Sequence, residues 1–565
     1  MVDFEAPNFF DNSNILIDGM NYADLPDFVD WGKIKSKMKE VLENIEMERY
    51  EFYEYDADQF VKGFKAVNSP DYIRKPGVEA VTFYAFKKDG TFREMQIPNL
   101  VHYCAFIYNS LFMFNEIFER LYLEEDNEKY IEHSNSYVVI GENFCITTGY
   151  GNEEEFEEGV FITKNNKTQE RMSFEENRKR YNCCQDTFLY SAKIDIESFF
   201  PNLYTHYLDK VANFEPYVSL GVDKRYFTFL DLFHQRINNN QTKGIPAGLF
   251  SSHIAAELLM LCVDYDISEK LEDKDMSYIR YVDDMVFFSD SKQDLESVVS
   301  DVQRILGKYR LRINGAKTAY RINSLYCGEK SNIIKIYSRL PYLNPTEKIS
   351  LKEGEFHDFK EYITELLSKG NIVQIKAIMT RLLNCLKNEL IDFDSEIDGW
   401  FCYLYTLAFE DVNLVCHAYR LLDFIMGKVD ENKRGNYMER LEKKTSLIEI
   451  KYCETLFQIW QYYLLTKYMG KKQRQNLLVE YSQKGNINPI ILCLFVEDGV
   501  KENSKLVRII TEQIANESKG NDWRKRIMFS RWWLPLMKVR MVDSHNYYGF
   551  MQSDMFPKVI ADLIS

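Results

Sequence analysis

Residues Ser277–Asp290 read SYIRYVDDMVFFSD, and at their centre two carboxylates, Asp283 and Asp284, stand side by side. Adjacent carboxylates repel each other unless a cation lies on them. A divalent metal, with its preference for hard oxygen, is the usual cation. The flanking residues are aromatic and β-branched, which predicts two strands with the Asp pair at a hairpin turn. Asp is also a common turn residue, and a solvated hairpin tip would need no metal. The four-residue match is short, so its meaning depends on what lies around it.

A further carboxylate fits. In TFLYSAKIDIESFFPNLYTHYL a strand is predicted over Phe188–Ile196, with Ile194 and Ile196 on one face and Asp195 on the other. A carboxylate ending an apolar strand is costly to bury without a cation. Pro201 closes the strand, and a helix is expected next. Between this strand and the hairpin lies Lys243-Gly244-Ile245-Pro246-Ala247-Gly248, whose glycines permit close backbone approach to a ligand or serve a plain connector. Ile254, Leu258, Leu261 and Tyr265 then form a helical stripe.

The elements on either side follow from the same patterns. Val78–Asn99 predicts two strands around a Lys88-Asp89-Gly90 turn. Lys87, Lys88 and Arg93 at that turn are either a solvated tip or a clamp for a triphosphate. Helices are predicted over Trp31–Ile45, Asp56–Phe64, Tyr103–Phe118 and Lys292–Tyr309, and a strand over Leu311–Ile313. Tyr50, Tyr53 and Tyr55 are read as packing residues, and the charge runs Asn152–Glu158 and Arg178–Arg180 as solvated faces. Lys317 is either a surface lysine or a proton donor near the site. From about Phe356 the pattern is almost wholly helical, and Lys-Gly-Asn-Ile recurs at 369–372 and 484–487, a faint sign of stacked helical hairpins. The basic runs Lys471–Arg474 and Trp523–Arg526 are solvated ends or nucleic-acid contacts.

These parts combine in one reaction. Asp195, Asp283 and Asp284 could share two Mg²⁺ ions (Mn²⁺ is an alternative), one activating a hydroxyl and one neutralising a triphosphate. Arg93 and a nearby lysine would hold the β- and γ-phosphates. Phe200 would lie against the incoming sugar and clash with a 2′-hydroxyl, which makes deoxynucleotides the expected monomers. Lys317 could protonate the departing pyrophosphate.

The composition sets bounds. The chain has 565 residues, 45% hydrophobic and 15% aromatic, enough for two to four packed domains. A net charge of −16 argues against a broad phosphate-gripping surface, though a local basic channel is compatible with it. The 11 cysteines include no CxxC pair, and Cys262, Cys385, Cys402, Cys416 and Cys493 sit in apolar context as core residues of a reduced protein. The opening MVDFEAPNFFDNSN lacks a secretion pattern, and no apolar run is long enough for a bilayer. A cytoplasmic location and no membrane partner are expected.

In order along the chain, the Asp195 strand with Phe200, the Gly244–Gly248 loop, YVDD and Asn314–Thr318 resemble the palm motifs of reverse transcriptases, and KKDGTFREMQIPN resembles their fingers motif. The resemblance implies an α+β right-hand fingers–palm fold with a ferredoxin-like βαββαβ palm, and a metal ligand from the Ile196 carbonyl. The expected division is an N-terminal helical extension (1–74), fingers and palm (75–342) and an all-α helical-repeat domain (343–565). KIDIESFFPNLYTHYL, GIPAGLFSSHIAAELLM and the helical C-terminal half resemble the bacterial abortive-infection (Abi) and related defence-associated reverse transcriptases. That branch implies phage defence, a homo-oligomer, and single-stranded DNA made from dNTPs without a template, in some members attached to a tyrosine. With 38 tyrosines the sequence selects none. Ala247-Gly248 stands where ordinary reverse transcriptases carry Gln-Gly at the nascent base pair, so templated readout loses a side-chain donor. RNA-templated synthesis with a bound non-coding RNA, RNA polymerisation and an inactive nucleic-acid-binding scaffold remain the alternatives.

Overall fold

The computed structural model describes residues 24–32, 34, 79–87, 90–99, 103, 106, 160–162, 168–170, 174–222, 224–325, 333–393, 396–497, 500–517 and 530–542. Lys88, Asp89, most of the first 78 residues, nearly all of the Tyr103–Phe118 segment and the whole of Asn152–Glu158 and Trp523–Arg526 lie outside them.

Strands β1 (Val81–Phe86) and β2 (Phe92–Ile97) form the expected antiparallel hairpin, closing with Phe86 opposite Phe92. Gly90 turns it at φ +77°, where glycine pays no Cβ penalty. Two short strands, β3 (Val160–Ile162) and β4 (Thr168–Glu170), pair next, followed by α1 (Phe174–Thr187).

The sheet that carries the chemistry has four strands: β5 (Tyr190–Asp195), β6 (Met276–Tyr281), β7 (Asp284–Ser289) and β8 (Ala319–Ile322). Their spatial order is β6-β7-β5-β8, with every neighbouring pair antiparallel. Helices including α2 (Lys224–Ile237) and α3 (Phe250–Leu271) fill the β5-to-β6 connection, and α4 (Lys292–Lys308) joins β7 to β8. This is the βαββαβ order of a ferredoxin-like palm. The periodicities explain the elements. In α4, Leu295, Val298, Val302 and Leu306 line one buried face, and Ser291 caps its N-terminus by accepting from Asp294 N. Helix α3 is buried along almost its whole length.

One expectation needs correction. Leu311–Ile313 is not a strand: only Ile313 bridges, to Ile196. The chain bends just beyond Asp195, with Ser198 left-handed at φ +46°, so pairing stops there. The fourth strand forms later, at Ala319–Ile322, where only four half-exposed residues gave no clear pattern.

Among its described residues the C-terminal half is helical apart from a short parallel pair, β9 (Ile349–Leu351) and β10 (Ile391–Phe393). Its described helices include α5 (Glu353–Ser368), α6 (Ile372–Lys387), α7 (Ile397–Glu410), α8 (Val415–Lys428), α9 (Glu431–Lys451) and α10 (Leu456–Tyr468). In the first Lys-Gly-Asn-Ile copy, Gly370 is left-handed at φ +66° and Asn371 caps α6. In the second, the cap falls two residues later, on Asn488. Cys262, Cys385, Cys416 and Cys493 are buried, whereas Cys402 is half-buried. The β1–β2 hairpin leans on this half: Tyr84 N donates to Glu454 O at 2.9 Å, and Asn488 Nδ2 donates to Thr82 O at 3.0 Å. Among the described residues, no helix is long and apolar enough to cross a membrane.

Candidate active site

The register of β5 against β7 puts Asp195 directly opposite Asp284, and β6 delivers Asp283 beside it at the hairpin tip. Ile196 N closes the corner by donating to Asp283 O at 3.3 Å. Like charges facing each other across a ladder are destabilising, and the structure meets that cost with two lysines. Lys193 Nζ lies 2.8 Å from Asp284 Oδ2, and Lys317 Nζ lies 3.0 Å from Asp195 Oδ2. Asn314 holds Asp195 twice, through its backbone N to Asp195 O at 2.8 Å and its Nδ2 to Asp195 Oδ1 at 3.2 Å. Asp283 has no such lysine. Burial, then the charges of Asp284 and Asp195, push its carboxyl up to about 6. The hydrogen bond to Asp195 raises Lys317, which keeps it protonated.

Among the described residues no three His, Cys, Asp or Glu side chains are closed into a ready metal cage. The reason is visible in the same contacts: Asp195 and Asp284 lean toward their lysines. The donor chemistry nonetheless suits a divalent cation. All donors are hard oxygens, their mutual repulsion is incompletely offset at Asp283, and the Lys317 side chain is 64% exposed and able to withdraw.

The turn that presents the pair is strained. Val282 is left-handed at φ +53°, an uncommon conformation for a β-branched residue. A buried guanidinium holds it. Arg280 is 0% exposed, and its Nη1 donates to Val282 O at 3.1 Å. The rest of its fork binds two carboxylates of α3: Asp264 at 2.7–3.0 Å and Glu257 at 3.0–3.1 Å. Tyr278 OH also donates to Asp264, at 2.8 Å. Helix α3 and the hairpin are thereby locked together through charge. Sequence reasoning followed the apolar stripe of α3 and missed these acids. Their spacing of seven, two helical turns on one face, opposite an arginine within an apolar strand, was the available signal.

The Gly244–Gly248 loop is built onto the segment that carries Phe200. Gly244 N donates to Leu203 O at 2.8 Å, and Ile245 N to Phe200 O at 3.0 Å. Gly244 sits at φ +87°, and a Cβ there would lie 3.2 Å from Pro201 O, so no other residue fits comfortably. Ala247 and Gly248 follow, both half-buried. The Phe200 ring meets His253 edge-on at 5.4 Å and Phe199 at 5.3 Å. Burial lowers His253 to about 4, with Glu257 opposing and Arg93 reinforcing the shift. Arg93 therefore acts on His253 through its charge, and no described contact joins it to the three carboxylates. Lys87 stands exposed at the end of β1, and no described contact links it to the carboxylates. His253 and Lys193 are additions that the sequence reading did not select, and Asn314 entered it only as the start of the Asn314–Thr318 motif; Lys193 was available from its two-residue spacing to Asp195 on the same strand face.

A ferredoxin-like sheet with acids at the β5 end and the β6–β7 tip defines the polymerase-type palm of a nucleotidyltransferase. Residues 161–337 match the family described as reverse transcriptase (RNA-dependent DNA polymerase), so the chain carries a reverse transcriptase domain and is a nucleotidyltransferase by class. No curated protein matches the sequence. Similar solved structures include apo telomerase from Candida tropicalis, at 12% identity and a TM-score of 0.31, covering 73% of this chain and 74% of that one. Telomerase from Candida albicans in complex with a TWJ fragment of telomeric RNA overlaps at 12% identity and a TM-score of 0.27, over 71% and 68%. The corresponding Candida tropicalis complex overlaps at 12% and 0.30, over 68% and 64%. Superpositions this loose carry no functional argument.

Proposed function

We propose that this protein is a DNA polymerase that joins deoxynucleotides at Asp195, Asp283 and Asp284, acts without a template and serves antiphage defence from the cytoplasm. The observation that carries the catalytic reading is the cross-strand register that sets Asp195 against Asp284 with Asp283 at the adjoining tip. These three side chains, with the Ile196 carbonyl, would hold two Mg²⁺ ions, which when bound supply Lewis-acid activation of the attacking hydroxyl and neutralise the triphosphate. The hydroxyl gives up its proton to water as its oxygen forms a bond to the α-phosphorus, the α–β bridging bond breaks, and pyrophosphate leaves. Lys317, held protonated by Asp195, supplies a proton to that leaving group. Arg93 and Lys87 serve the triphosphate tail. Phe200, backed by His253, excludes a 2′-hydroxyl. Residues 75–342 form the catalytic unit, and 343–565 brace it through the β1–β2 hairpin.

Ala247 supports the template-independent reading, because its methyl group offers the nascent pair no hydrogen bond. The motifs shared with defence-associated reverse transcriptases support the biological role, the homo-oligomer and a tyrosine primer. The description of the matched family favours a second reading, RNA-templated DNA synthesis with a non-coding RNA. Incubation with labelled dNTPs and Mg²⁺, without nucleic acid, separates the two on a denaturing gel. Nuclease-sensitive label on the protein band supports self-primed synthesis, and label only after RNA is added supports the second reading. No incorporation under either condition, with Asp284→Asn as reference, would remove the catalytic assignment.

A further inference from the structure

Strands β6 and β7 pair without interruption from Met276 opposite Ser289 to Tyr281 opposite Asp284, which leaves Val282 and Asp283 as a two-residue turn. The favoured turns of this length need a positive φ at their first residue, and glycine, asparagine or aspartate is the usual choice there. Here the residue is valine, at φ +53°. A β-branched side chain in that region is strained, so the turn needs support from outside itself.

The support is Arg280, two residues before Val282 and wholly buried. Every N–H of its guanidinium is spent. Asp264 accepts from Nε at 2.9 Å and from Nη2 at 2.7 Å. Glu257 accepts from Nη2 at 3.1 Å and from Nη1 at 3.0 Å. The remaining Nη1 hydrogen goes to Val282 O at 3.1 Å. The guanidinium is planar, so carboxylates on two of its edges fix the direction of that last donor. It meets the carbonyl whose orientation defines the turn. Strand pairing has support of its own, with the Tyr278 ring stacked on Phe287 at 4.5 Å. Relaxing Val282 to a negative φ would swing the peptide that follows it and move Asp283, whose carbonyl accepts from Ile196 N at 3.3 Å beside Asp195.

We propose, on the reading of Asp195, Asp283 and Asp284 as metal ligands, that Arg280 is a positioning residue for the divalent metal. Aimed by Glu257 and Asp264, it holds Val282 in the strained conformation that sets Asp283 beside the other two acids. It touches neither metal nor nucleotide and acts through one carbonyl. The three buried charges thus do more than fasten α3 to β6. A buried ion cluster that serves stability alone is replaceable by neutral residues of similar shape. A metal site, in contrast, loses affinity when the groups that orient its ligands are removed. The two roles separate in a variant from which all three charges are taken together.

The test titrates the full chain with Mn²⁺, without nucleotide, and follows the free ion by electron paramagnetic resonance. Binding that Asp284→Asn weakens locates the ion at the palm. The triple variant Arg280→Met, Glu257→Gln, Asp264→Asn should melt close to the parent yet bind Mn²⁺ about tenfold or more weakly. Adding Val282→Gly, which takes a positive φ without strain, should restore much of that affinity. Arg280→Lys keeps the charge but not the planar fork. It should weaken binding and respond to Val282→Gly in the same way, and it reports even where melting shows that the triple variant does not fold. Affinity equal to the parent's in the folded variants, or a loss that Val282→Gly leaves untouched, would overturn the proposal and leave the metal reading standing. Mn²⁺ that the parent does not bind, or that the parent and Asp284→Asn bind alike, would remove the metal reading and the proposal with it.

Discussion

Asp283→Asn should make the metal-free protein more stable at neutral pH even as it destroys activity. The ordinary Asp value of 3.8 is pushed to about 6 at Asp283, by burial first and then by Asp284 and Asp195. A shift of about two units corresponds to roughly 3 kcal/mol of unfavourable interaction once the group is charged. The sign follows from linkage. Below about pH 4 both folded and unfolded chains carry the proton, and no penalty exists. Between about pH 4 and 6 the unfolded chain releases it while the folded chain retains it, so stability falls as pH rises. Above about 6 the full penalty stands. Asparagine keeps the shape and removes the charge. For a unit of palm size, 3 kcal/mol is roughly 6–12 °C in melting temperature. The assay is thermal melting of both proteins in EDTA from pH 4.5 to 7.5, following the first transition. The variant should melt higher at 7.5, the gap should shrink toward pH 4.5, and added Mg²⁺ should narrow it at 7.5 by stabilising the parent. A gap that is absent at pH 7.5, or constant with pH, would refute the claim that these carboxylates crowd one another.

Four further outcomes follow from the same geometry. Arg280→Met strands Glu257 and Asp264 without their partner and should cost roughly 3–5 kcal/mol, read by melting; adding Glu257→Gln and Asp264→Asn should recover most of it. Lys317→Ala should lower kcat by about a hundredfold with little change in nucleotide KM, and an unchanged kcat would remove its role as proton donor. Phe200→Ala should admit ribonucleotides, and His253→Ala should do so more weakly, measured by competing rNTP against dNTP. Gly244→Ala should lose roughly 1–3 kcal/mol, because of its φ of +87° and the Pro201 carbonyl, whereas Gly485→Ala, with open space around it, should be neutral in the same melting assay.

The elements that the sequence announced are those whose patterns are local. The runs around Asp283–Asp284 are rich in aromatic and β-branched residues, and half or more of each run and most of the strand ending at Asp195 are buried. The stripe of α4 and the glycine turn of the β1–β2 hairpin are equally local. The order of these pieces, three acids and a glycine loop among them, resembles that of reverse transcriptases, and it was this resemblance that implied a palm. Strand β8 escaped notice because it is short, half-exposed and stabilised only by β5.

What tertiary structure alone decided is how the charges are balanced. Nothing within Lys193 or Lys317 says which aspartate each will neutralise, since that depends on a cross-strand register and on a loop more than a hundred residues away. Glu257 and Asp264 look like interruptions in an apolar helix until Arg280 arrives from β6 to meet them. Hydrophobic periodicity is written residue by residue, whereas the energy of a buried charge is set by whichever partner the fold brings within about 3 Å.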